Sequence, residues 1–215
     1  IHKDLYHQAA TIGHGMTGLA ASAAWAGFKL REANNGGLNL QGYTDADDTA
    51  LTLLGLIGVT DPTDTVPAVV IQSGKKSGTS GQALAAAETV LRVDNWDSAG
   101  LFTVLGDGRV GIGTSTPTSG VDLHIKDTTD AILKIESTQA GTDMGGVQIY
   151  HNSGTPAAND SLGYISFLGN DSGASQHQYA KIEAKSSDVT GGAEYGELIF
   201  STIGNASDGN RFIID

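Results

Sequence analysis

The 215 residues contain no cysteine, so neither a disulfide nor a thiolate metal site can hold this chain together. That absence fits synthesis in a reducing cytosol with no oxidative maturation. No apolar run reaches the length of a membrane-spanning helix, so no membrane insertion is expected. Residues 1–30 also lack the basic start and apolar core of a secretion signal. Basic residues are scarce. Twelve Lys and Arg stand against 24 Asp and Glu, and the longest basic cluster is Lys75-Lys76. A net charge of −12 makes nucleic acid and anionic membrane surfaces poor partners and favours solubility. Aromatics are only 6% of the chain, too few to dominate one compact core even though the length would allow one.

What is present instead is backbone freedom. There are 30 Gly, and Ser, Thr, Asn and Asp are plentiful. Many short strands joined by turns have this composition, because turns need residues that tolerate positive φ or bond their own backbone. The pattern along the chain agrees. GGLNLQGY (residues 36–43) alternates Leu38 and Leu40 with Asn39 and Gln41, a half-buried strand. TALTLLGLIGV is too densely apolar to assign a face, VPAVVIQS is a β-branched run, and GKKSGTSG reads as a loop. ALAAAETVLRVDN is ambiguous, helix-like at first and strand-like later. VDLHIKD, AILKIES, GGVQIYH, LGYISFLG, YAKIEAKS and GELIFSTI are each strand-length and bounded by turn residues. Only the Ala-rich TGLAASAAWAGFKLREANN predicts a short N-terminal helix, weakened by Gly18 and Gly27. ETVLRVDN followed by LFTVLGDGRVGIG is echoed by AILKIEST and, after a longer insert, RFIID, which reads as two copies of one module with the second truncated. The chain starts at Ile1 without an initiator Met and reads as a piece of a longer polypeptide.

LGDGRVGIGTSTP (residues 105–117) raises the sharpest chemical question. Gly106, Gly108 and Gly111 satisfy G-x-G-x-x-G, and Asp130 lies near the distance at which an acid would meet a ribose. A dinucleotide turn must open a helix whose free N–H groups face the pyrophosphate. IGTSTPTSG cannot be that helix. Asp107-Gly108 between apolar, β-branched runs instead predicts a type I′ hairpin, with Gly106, Asp107, Gly108, Gly111 and Gly113 as structural turn and close-packing residues.

Other chemistry is weaker still. His2, His7, His14, His124, His151 and His177 show no metal-ligand spacing, and Asp45, Asp47 and Asp48 lack the remainder of a calcium loop. Glu194 with Glu197, or Asp143 with Asp188, are candidate carboxylate pairs without any sign of convergence. No catalytic set, cofactor or metal is therefore expected. Among Trp25, Trp96, Tyr43, Tyr150, Tyr164, Tyr179 and Tyr195, Trp96 in the turn-rich DNWDSAG is the candidate receptor contact.

DGRVGIGTSTP followed by VDLHIKD resembles a repeated phrase of bacteriophage tail fibres and tailspikes, G-N-V-G-I-G-T-x-x-P followed by L-H-V. VQIYHNSGTPAANDSLGYISFLGNDSGASQHQYAKIEAKSSDVTGGAEYGELIFSTI is similar to a further module of such fibres, so the likeness spans roughly residues 105–215. The C-terminal self-cleaving chaperone of many relatives is not seen, nor is the β-helix repeat of glycan-cleaving tailspikes. The resemblance implies an elongated, all-β, intertwined homotrimer of consecutive small sandwich or meander modules. It implies a virion address, neighbouring tail proteins, a host-surface glycan or protein receptor, and a structural or adhesive role without catalysis. The expected modules are 1–35 (connecting segment), 36–117 and 118–215. A glycan-degrading tailspike segment and a cellular adhesin or filament subunit are the alternatives.

Overall fold

The computed structural model describes residues 5–8, 13, 15–19, 21–32, 36–56, 67–138, 140–141, 145–204 and 207–214. Among them the chain is all-β, with no helix. It divides into two compact units, Ile1–Ala131 and Ile132–Asp215.

The first unit opens with a three-stranded antiparallel meander of β1 (Leu5–Gln8), β2 (Ala24–Glu32) and β3 (Gly36–Gly42). β2 corrects the expected N-terminal helix. Its Ala content suits a helix, yet Gly27 pairs with Tyr6, and a Cβ there would lie 2.8 Å from the Tyr6 ring. A bare backbone position beneath a cross-strand aromatic favours the sheet, which overrides local propensity. β3 forms where alternation predicts it, but Leu38 and Leu40 are exposed rather than half-buried.

A two-stranded hairpin follows, β4 (Lys75–Ser77) with β5 (Ser80–Gln82), where a loop is expected. Gly78 supplies its positive φ of 58°. Next comes a four-stranded sheet of β6 (Thr89–Asn95), β7 (Ser98–Leu105), β8 (Val110–Ile112) and β9 (Leu123–Ile125). The first three strands are antiparallel, and β9 adds to β8 in parallel. β9 lies beyond the expected module boundary at 117/118, yet its hydrogen bonds tie it to β8.

The second unit is one antiparallel meander of β10 (Ser161–Asn170), β11 (Gln176–Asp188), β12 (Tyr195–Gly204) and β13 (Ser207–Ile214). The first three fall on the predicted segments LGYISFLG, YAKIEAKS and GELIFSTI, and β13 overlaps RFIID, which the sequence offers only as the echo of a module. AILKIES and GGVQIYH, also predicted as strands, join no ladder.

Little of this chain is interior. Among the described residues the buried apolar side chains are Ala24, Leu105 and Ile199. Leu51, Leu53, Leu54, Leu56, Val69, Val70 and Ile71 in the first unit stay exposed, as do Ile132, Leu133, Ile135, Val147 and Ile149 in the second. All twelve lie outside the strands. Each such side chain, if buried, contributes about 1.5–3 kcal/mol of stability, and here none is buried.

Candidate functional site

The glycine-rich phrase sits at the turn between β7 and β8. The Gly108 N–H donates to the Leu105 carbonyl at 3.0 Å, and the Leu105 N–H donates to the Arg109 carbonyl at 3.0 Å. Gly106 and Asp107 are therefore the central turn residues, and Gly108 takes the left-handed position with φ 88°. This is a three-residue loop with a glycine bulge, which replaces the expected type I′ turn centred on Asp107-Gly108. Asp107 keeps an ordinary negative φ and caps the turn by accepting the Arg109 N–H at 3.3 Å.

The other glycines answer to close approach. A Cβ on Gly106 would lie 2.2 Å from the Ala85 carbonyl oxygen, and one on Gly111 would lie 2.4 Å from that of Thr114. Gly113, with φ 72°, would place its Cβ 2.0 Å from the Lys126 carbonyl oxygen. Strand β8 and an irregular loop follow the G-x-G-x-x-G match, so no helix N-terminus faces this turn.

Arg109 locks the region. Its Nε meets Asp107 Oδ2 at 2.7 Å, and its Nη1 donates to the Pro117 carbonyl at 2.8 Å. Burial pushes the Asp107 carboxyl upward, but hydrogen bonds from Arg109 and its charge outweigh this and hold the group below 3.8. Sequence reading missed Arg109, whose only local sign was an acid two residues earlier. It also missed Lys75, whose Nζ lies 2.9 Å from both Glu88 carboxylate oxygens.

The remaining candidates do not converge. Trp96 occupies the two-residue tip between β6 and β7, 83% exposed. Tyr150, Tyr164, Tyr179 and Tyr195 are exposed in the second unit, whereas Trp25 and Tyr43 are half-buried in the first. His124 Nδ1 faces Thr118, and His177 Nε2 lies 3.1 Å from Asp171. His151 is exposed. His2, His14, the His7 side chain and Asp143 fall outside the described residues. Asp45 accepts the Gly15 N–H, a tie across 30 residues, and Asp48 accepts the Thr49 N–H within its own turn. Asp188 and Glu194 each accept a local backbone N–H, and Glu197 pairs in register with Lys185. No group of three or more metal-ligating side chains occurs among the described residues. An open cavity of about 600 Å³ is lined by Gln72, Ser73, Gly74, Gly81, Gln82 and Ala83, and none of these can ionise.

The ionisable groups instead support the fold. The Lys75 side chain holds Glu88 down, the Gly100 N–H and then Arg92 hold Asp94 down, and Lys181 holds Glu183 down. The Ser175 N–H and then His177 do the same for Asp171. Each folded carboxyl releases its proton more readily than in the unfolded chain, so the unfolded state binds more protons on acidification. Their stabilisation is complete above the ordinary values of 3.8 and 4.5 and drains as pH falls through the lower folded values. In about 0.15 M salt, which screens the negative net charge, the urea midpoint is expected to hold steady above roughly pH 5 and to fall below pH 4. A midpoint that rises on acidification contradicts this assignment.

The chain matches no protein-family model and no curated protein.

Proposed function

We propose that this chain is a structural and adhesive segment of a phage tail fibre that works as a homotrimer. The observation that carries the proposal is the shortage of interior. Among the described residues three small or medium apolar side chains are buried, while twelve Leu, Ile and Val outside the ladders are exposed. Runs of exposed apolar side chains such as 53–54, 69–71 and 132–133 offer surface that another chain can cover. A core shared among copies supplies that cover without cofactor, metal or disulfide, and suits modules too thin to bury an apolar face. The phrase DGRVGIGTSTP followed by VDLHIKD, with its likeness to fibre repeats, supports the choice of a fibre among possible assemblies. In this role the chain is not an enzyme. It stands in the virion among other tail proteins, and its loop tips, Trp96 among them, meet a host-surface glycan or protein receptor. Threefold repetition of a weak loop contact raises avidity.

Light scattering on the purified chain tests the assembly. The expected mass is that of three 22.0 kDa chains, retained in SDS before heating. A well-folded species with the mass of one chain overturns the proposal.

A further inference from the structure

The second unit has two unlike sheet faces. Register aligns Tyr164 of β10 with Glu183 of β11 and Ile199 of β12, and Ser166 with Lys181 and Ser201. That face is mixed and carries the charges of β11, and its Glu183, Ile199 and Ser201 are buried. Glu183 is ion-paired to Lys181 at 2.9 Å and hydrogen-bonded by Ser161. The alternate positions make the other face. Gly163 aligns with Ala184 and Leu198, Ile165 with Ile182 and Phe200, and Phe167 with Ala180 and Thr202. β13 continues the second of these rows, with Phe212 opposite Phe200. Successive side chains alternate across a strand, so between the bulges of β10, β11 and β12 this division follows from the sequence period.

The apolar face is poorly covered. Ile149 lies over its Gly163 corner, where a Cβ would come 2.2 Å from Ile149 Cγ2. Ile165 and Phe167 remain 54% and 50% exposed, and Leu198 of the same face and Ile149 over its corner are exposed too. At roughly 100 Å² for each of these four, about 400 Å² of apolar surface is open. A standard interface takes about 800 Å² per partner, about 65% of it apolar where identical chains meet. The open apolar area therefore supplies most of the apolar surface that one copy needs to bind another.

We infer that copies of this chain meet through the face of the β10–β13 sheet that carries Ile165, Phe167 and Leu198. The inference rests on the trimer proposed above and names the surface that forms it. The charged face, with Tyr164, Lys181, Glu183 and Glu197, points away from the partner copies.

The cysteine-free chain provides its own test. Ile165→Cys and Tyr164→Cys place one thiol on either face at neighbouring, half-exposed positions of one strand. In the assembled protein a soluble maleimide is expected to label Ile165→Cys roughly tenfold or more slowly than Tyr164→Cys, since labelling of a covered thiol waits for opening. In denaturant the two rates become equal. Phe167→Glu is expected to shift the mass from three chains towards one while the circular dichroism stays β. Equal labelling in a species of trimer mass overturns the inference and leaves the trimer standing. Protection of Ile165→Cys in a species of single-chain mass also overturns it, because the cover then comes from the same chain. A single-chain mass for the unmodified protein removes the trimer itself.

Discussion

Gly113→Ala is expected to destabilise the first unit by about 3 kcal/mol or more, among the largest losses for any single methyl group in this chain. Two independent penalties coincide there. The backbone has φ 72°, which costs a residue with a Cβ about 1–2 kcal/mol. The added carbon would also sit 2.0 Å from the Lys126 carbonyl oxygen, a backbone atom that cannot rotate away. Overpacking of that kind costs about 1–3 kcal/mol more. The position joins three strands. The Gly113 N–H donates to the Leu101 carbonyl at the β7 side, and the Lys126 N–H returns to the Ile112 carbonyl at 2.9 Å. Relief of the clash therefore pulls β9 from β8. Gly108→Ala is the matched control, because Gly108 has φ 88° but open space where the Cβ would go. Its loss is expected to stay near the conformational penalty alone, about 1–2 kcal/mol. Urea unfolding of both variants, followed by circular dichroism, separates the terms. Equal losses would show that backbone conformation, and not the approach of Lys126, accounts for Gly113.

The contrast between these glycines shows where sequence reasoning reached and where it stopped. Asp107-Gly108 between two β-branched runs identified the β7–β8 hairpin, because a turn is decided by adjacent residues. The loop type was misjudged by one position. Gly106 was free to enter the turn, and Asp107 gained more by accepting the Arg109 N–H at negative φ than by occupying a left-handed conformation. That Gly106, Gly111 and Gly113 serve the backbone was legible. Their partners Ala85, Thr114 and Lys126 were not all legible, since the more distant contacts depend on how separate strands stack. The same limit explains β2. Nothing local to AWAGFKLRE announces that Tyr6 will lie across Gly27. AILKIES and GGVQIYH pose the reverse case. Their length and bounding turn residues are a sound strand signal, yet the described residues of this chain offer them no ladder. A strand needs a neighbour as well as a pattern.

That last point sets the sign of the largest effect expected on assembly, that of Leu54→Asp combined with Leu56→Asp. The two side chains are 76% and 85% exposed. If the single chain were the working state, exchanging exposed leucines for carboxylates would change stability by no more than about 0.5 kcal/mol and would improve solubility. In a trimer with a shared core the same exchange buries up to six carboxylates where apolar groups belong, and unpaired buried charge is far more costly than lost apolar contact. The expected result is collapse of the mass from three chains to one by light scattering, with loss of resistance to SDS. The ladders of β6–β9 and β10–β13 involve neither residue, so the β signature in circular dichroism is expected to persist. Leu54→Ala with Leu56→Ala separates charge from volume. It removes apolar area without introducing carboxylates, and is expected to weaken the trimer so that its mass falls on dilution. A double Asp variant that keeps the trimer mass would place residues 54–56 on the outside of the assembly, and the shared core would then have to be built from the Ile165 face and the runs at 132–135 and 147–149 alone. The direction of the change thus discriminates between two environments for the same leucines, because solvent rewards the substitution that a shared interior rejects.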